Sequence, residues 1–102
     1  MDDSLFRALA DPTRRKILEL LTKKDRTAGE IAEQFPIAFA SVSHHLGVLK
    51  AADLVAAERE GQFIRYRLNT TVFQELVRYL MDRFGAGEAE ADGARGESKS
   101  NA

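Results

Sequence analysis

Cysteine is absent from the chain, which excludes disulfides, thiolate metal sites and a cysteine nucleophile. No apolar run is long enough to span a bilayer. The uncharged stretch Phe35 to Leu49 contains Pro36, two serines and two histidines. The opening Met1-Asp2-Asp3-Ser4 is acidic where a secretory signal is basic, so a cytoplasmic protein with no membrane partner is expected. There is no glycine-rich phosphate loop, no Ser–His–Asp set placed on turns and no carboxylate pair in apolar surroundings, and the enzyme classes that need them drop out. Histidine is scarce too. The only two, His44 and His45, are adjacent, and neighbours on a helix point about 100° apart, so they are badly placed to share one metal ion. No cofactor is expected.

What is present fits one small domain. With 102 residues, 44% of them hydrophobic, the chain can build a single core with little surplus, and a partner subunit would help it. The formal net charge is −1. The charge is unevenly spread: from residue 85 onward Glu88, Glu90, Asp92 and Glu97 outnumber Arg95 and Lys99, so the first 84 residues sum to about +1. That permits nucleic-acid binding without demanding it.

Ser4 to Ala10 places Leu5, Phe6 and Leu9 on one side of a short helix. Asp11-Pro12 then starts a second one, because Asp caps helix N-termini well and Pro suits the first helical position. It carries Ile17, Leu18, Leu20 and Leu21 inward. Thr27-Ala28-Gly29-Glu30 is a capping box for a third, short helix that Pro36 stops.

The stretch 37–50 reads as a fourth helix with two faces. Val42, Leu46 and Leu49 line a buried stripe, whereas Ala40, Ser43, His44 and Gly47 put small, uncharged groups outward. Such a slim face suits a helix that enters a groove, and its tight connection to the third helix is a helix-turn-helix.

Period two follows. Residues 55–59 and 63–68 read as strands joined through Glu60-Gly61-Gln62, with Gly61 free to take a positive φ. Ile64, Tyr66 and Leu68 share the face toward the core; Phe63, Arg65 and Arg67 share the other. A last helix carries Val72, Phe73, Leu76, Val77, Leu80, Met81 and Phe84 in a stripe richer than so small a domain needs. It reads as a dimerisation surface made of Phe73, Leu76, Val77, Leu80, Met81 and Phe84, shared with Leu5, Phe6 and Leu9 of the first helix; the alternative is a helix packed only on its own subunit. The expected fold is therefore mainly α with a small β-hairpin: a dimeric winged helix-turn-helix of four helices, two strands and a fifth helix over residues 1–84. Residues 85–102, without an aliphatic side chain larger than Ala, are expected to form a disordered polar tail.

The strings Phe6-Arg7-Ala8-Leu9-Ala10-Asp11-Pro12-Thr13-Arg14-Arg15-Lys16-Ile17-Leu18, Val42-Ser43-His44-His45-Leu46 and Gly61-Gln62-Phe63-Ile64-Arg65-Tyr66, taken together, resemble the ArsR-type winged-helix repressors of bacteria. Within that family the chain is most similar to the metal-independent SdpR-like autorepressors. The resemblance spans residues 4 to 84. It implies a homodimer with its first and last helices at the interface, bound to double-stranded DNA at a palindromic promoter element. The family's base-facing positions fall on Phe39, Ala40, Ser43 and His44. Where relatives commonly carry polar readers, Phe39 and Ala40 are apolar, which suits thymine methyls. Asp53 stands where relatives often have Gly, and Asp tolerates the left-handed conformation.

Each candidate has a plain alternative. Arg14 and Arg15, with Lys16, occupy the first turn of a helix, a poor place for cations unless an anion is near; either a DNA phosphate supplies it, or Asp11 or Glu19 does. Arg65 and Arg67, with Arg59 near the hairpin tip, are expected at phosphates or the minor groove. His44 is expected on DNA and His45 in a hydrogen bond between helices. Glu30 and Glu33 are explained by capping and solvation, and metal ligands are absent from the last helix. An effector, if one relieves repression, is of a class these residues do not specify. The competing function is a winged helix whose 37–50 face binds a protein rather than DNA.

Overall fold

The computed structural model describes residues 2–85, which fall into two compact units, Met1–Thr70 and the segment from Thr71 onward. The expected tail lies, apart from Gly85, outside the described residues.

The first unit contains α1 (Asp3–Leu9), α2 (Pro12–Lys23), β1 (Arg26–Thr27), α3 (Ala28–Ala32), α4 (Phe39–Ala51), β2 (Val55–Glu60) and β3 (Phe63–Leu68). Its helices begin where short polar side chains can hold free amides. Asp2 accepts from the Ser4 amide at 3.0 Å, and Asp11 accepts from the Arg14 amide at 3.1 Å with Pro12 in the first turn. Thr27 and Glu30 complete a reciprocal capping box: Thr27 Oγ1 accepts from the Glu30 amide at 3.2 Å, and Glu30 Oε1 accepts from the Thr27 amide at 2.8 Å. With only five residues α3 cannot sustain itself on propensity. It is pinned instead by this box at one end and by Ile31, fully buried, in its middle.

Several boundaries differ from the sequence expectation: α3 ends at Ala32, before Pro36 can stop it, and β2 takes in Glu60, which was expected in the turn. The helix expected over 37–50 runs from Phe39 to Ala51. Ala38 is its extended N-cap and Ile37 lies before it. The hairpin also has a third strand: β1 pairs antiparallel with β3 through Arg26↔Tyr66 and Thr27↔Arg65, giving the sheet order β1-β3-β2.

The core of this unit is drawn from every helix and from β2. Leu5, Ala8, Ile17, Leu18, Leu21, Ile31, Val42, Leu46, Leu49, Leu54 and Val55 are buried. Removing that apolar surface from water is the main favourable term in folding. At the exit of α4 the chain reverses through Asp53, whose φ of 61° realises the expected left-handed residue. At the hairpin tip Gly61 takes φ 62° as the first of two turn residues, where two-residue hairpin turns favour glycine.

The second unit contains most of α5 (Thr70–Leu80), which ends in a π-helical turn over Met81–Gly85. Leu76 is buried, whereas Val77, Leu80, Met81 and Phe84 are 40–78% exposed. Arg83 lies over the ring of Tyr79, 4.2 Å from its centroid, a cation–π contact. Among the described residues, no helix is long and apolar enough to cross a membrane.

Candidate nucleic-acid interface

The two faces of α4 are as the spacing requires. Val42, Leu46 and Leu49 are at most 1% exposed, and Ala40, Ser43, His44 and Gly47 all lie on the exposed side. Phe39, at the start of the helix, is 56% exposed. α3 packs on α4, so the helix-turn-helix pair is formed. The outward surface of α4 is small and carries no acidic residue, and an acid there would repel a phosphate backbone.

The strand register sorts the hairpin into two faces. Val55↔Leu68, Ala57↔Tyr66 and Arg59↔Ile64 lie on one side, and Ala56↔Arg67, Glu58↔Arg65 and Glu60↔Phe63 on the other. Arg65 and Arg67 thus share a face, as expected, but Arg59 is on the opposite one. Its guanidinium turns back to donate to the Gly61 carbonyl at 3.2 Å.

The two outward arginines are already paired. Arg65 Nε donates to Glu60 Oε1 at 2.9 Å, and Arg67 lies 3.6 Å from Glu58 Oε1. Glu60 raises the Arg65 pKa above the ordinary guanidinium value, first by its hydrogen bond and then by its charge, with smaller contributions from Glu30 and Asp25. Beside this face lies a groove of 390 Å³ lined by Thr27, Gly29, Glu30, Glu33, Phe63 and Arg65. Its two carboxylates make it unsuited to a phosphate. Sequence reading missed the role of Glu58 and Glu60, although their alternation against Arg65 and Arg67 on a two-residue period is visible once the register is known.

Arg14 and Arg15 find their acceptors within the protein. Arg14 Nε donates to the Ala8 carbonyl at 2.8 Å and its second terminal nitrogen to the Arg7 carbonyl at 3.1 Å. Arg15 donates to the carbonyls of Leu9 and Ala10 at 2.8 and 3.1 Å. Within the chain both guanidiniums take the carbonyl end of α1 as their acceptor, a partner not considered from sequence. Lys16 does pair with Glu19, at 3.6 Å. His45 makes the expected link between helices, its Nδ1 lying 3.2 Å from Arg14 and 3.9 Å from Asp11. The Asp11 carboxyl is held below its ordinary pKa, chiefly by the Arg14 amide.

The residues expected at a dimer interface divide by exposure. Leu5 and Leu76 are already buried in the single chain and have little area left to offer. Phe6, Leu9 and Phe73 are half-buried, and Val77, Leu80, Met81 and Phe84 are exposed.

A helix-turn-helix whose second helix offers a slim outward face, followed directly by a β-hairpin, defines the winged helix-turn-helix class of DNA-binding regulators. Residues 9–57 match the family described as a helix-turn-helix domain. The chain is 49% identical over 86 residues to the transcriptional repressor SdpR of Bacillus subtilis, covering 84% of this chain and 96% of that one. Among solved structures it is similar to an ArsR family transcriptional regulator, with a TM-score of 0.75 and 27% identity over 79% of this chain and 89% of the other. An ArsR-like transcriptional regulator from Rhodococcus sp. RHA1 matches with a TM-score of 0.71 and 34% identity, over 78% and 76% of the two chains. The chain belongs to the ArsR family of winged helix-turn-helix repressors. It is a DNA-binding transcriptional regulator and not an enzyme.

Proposed function

We propose that the protein is a homodimeric, metal-independent repressor of a palindromic promoter element. In this reading α4 enters the major groove with Phe39, Ala40, Ser43 and His44 toward base edges, and the β2–β3 hairpin approaches the flanking backbone with Arg65 and Arg67. The observation that carries it is the outward face of α4, where Phe39, Ala40, Ser41, Ser43, His44 and Gly47 are exposed and none is an acid, Lys or Arg. Apolar Phe39 and Ala40 favour an element containing A·T pairs, through thymine methyls. Arg59, Arg14 and Arg15 are used within the protein, and they contribute less to the phosphate count than their charge suggests.

Dimerisation is supported by Val77, Leu80, Met81 and Phe84, a cluster of large exposed side chains on one helix and its terminal turn. Phe73, half-buried, is assigned to the same helix's interface. A symmetric dimer would set its two α4 helices roughly 34–36 Å apart, one turn of DNA. Metal independence is supported by the donor set: cysteine is absent, and of the two histidines His45 already spends Nδ1 on Arg14.

Selection of bound sequences from random duplex DNA, followed by a salt titration, tests the reading. A palindrome with half-sites about one turn apart is expected. Weak, sequence-blind binding would instead favour a protein partner on the same face, to which exposed Ile37 and Phe39 would then belong. Zinc, copper or nickel, or a chelator, should leave the affinity unchanged.

A further inference from the structure

We propose that Arg14 is a positioning residue for DNA recognition, setting the rotation of α4 by clamping it, through the ring of His45, to the end of α1. This rests on the reading that α4 faces DNA. A single planar guanidinium reaches three acceptors: the carbonyls of Ala8 and Arg7 on α1, at 2.8 and 3.1 Å, and Nδ1 of His45 on α4, at 3.2 Å. Its own backbone is fixed in the first turn of α2, where Asp11 accepts from the Arg14 amide. Three helices are thereby tied at one side chain.

Arginine has donors only, so Nδ1 of His45 must accept, and the ring proton sits on Nε2. Lysine cannot replace this fork, because a point ammonium does not present donors in one plane toward two helices. Depth matters as well. Val42, Leu46 and Leu49 hold α4 against the core along one line, and apolar contact is not directional. His45, whose side chain is 17% exposed, lies at the edge of that line, where a directional bond resists rolling of the helix. The neighbouring residue is His44, with ring centroids 5.9 Å apart, so a roll that breaks the Arg14 bond swings His44 and Ser43 away from base edges. Phosphate contacts tolerate such a roll; base contacts do not.

The test measures Kd of the full-length protein for the selected duplex and for a scrambled duplex of equal length, at one salt concentration. It uses Arg14→Lys, His45→Leu, the double variant and His45→Asn, whose Oδ1 stands where Nδ1 does. Arg14→Lys and His45→Leu are expected to weaken binding to the selected duplex about tenfold or more, the scale of a lost base contact, with the scrambled duplex little changed. The double variant should be no worse than either single one, as for two halves of one interaction. His45→Asn should restore most of the loss. Equal losses on both duplexes, or additive losses, would overturn the proposal and return Arg14 to phosphate binding or plain stability. Wild-type protein that fails to prefer the selected duplex would instead sink the DNA reading, and the positioning role with it. The ring itself provides a measurement that needs no variant: nitrogen NMR of His45 should find the proton on Nε2, and a proton on Nδ1 refutes the clamp.

Discussion

Arg65 donates Nε to Glu60 Oε1 at 2.9 Å, and this pair decides how much positive charge the hairpin can show to DNA. Both side chains are partly exposed, so the pair itself adds little to stability. Its consequence is electrostatic. Glu60→Gln is expected to raise affinity for every duplex alike and to steepen the dependence of log K on log salt by about 0.9, one phosphate's worth. Arg65→Ala should do the reverse. Unchanged salt slopes in both variants would remove the hairpin from the phosphate count.

His44 stands on the exposed face of α4 beside the clamp, not within it. His44→Ala is predicted to weaken binding to the operator by about 1–3 kcal/mol and to relax preference at one base position, as for a base-edge contact. Competition by operators altered one base pair at a time reads this out. A uniform loss across all of them would make His44 a backbone contact.

Stability should fall with acid through the capping carboxylates. Asp11 is held below its ordinary pKa by the Arg14 amide, and Glu30 by the Thr27 amide. A carboxyl depressed in the folded state contributes stability above its unfolded pKa, near 4, and loses that contribution as pH falls through the folded value. Asp11→Ala should thus unfold at a lower temperature than wild type at pH 7, and the gap should narrow below about pH 4. A gap that is constant with pH would show that the charge of Asp11 contributes nothing.

Leu80 is 40% exposed on α5, so a charge there is tolerated within one chain. In the proposed dimer it would be buried unpaired, at a large cost. Leu80→Asp should sediment as a folded monomer. A variant that still sediments as a dimer would move the interface elsewhere.

Where a side chain's partner lies within four residues, the sequence is a sufficient guide. Asp11 with the Arg14 amide, Thr27 with Glu30, and Gly61 between two period-two runs all announce their local geometry, and the winged helix-turn-helix follows from their order. Partners at long range are another matter. β1 has two residues, too few to show any period, and exists only because Tyr66 and Arg65 lie opposite. The acceptors that Arg14 finds within the chain, the carbonyl end of the preceding helix and a ring 31 positions away, leave no mark in the sequence around it. α4 starts at Phe39 rather than Ile37, and because Ala38 caps with its backbone alone no residue type marks that boundary in the sequence.

Gly47 sits inside α4, and a β-carbon built there would meet nothing within 4 Å. The isolated chain therefore has room for a larger residue while accepting the looser helix that glycine brings, worth roughly 0.5–1 kcal/mol against alanine. Gly47→Ala should raise the melting temperature and, if DNA comes that close to the helix, weaken operator binding. An increase in both would mean that the spare room faces water. If α4 enters the major groove as proposed, glycine at this place gives up helix rigidity in exchange for a closer approach of the two backbones.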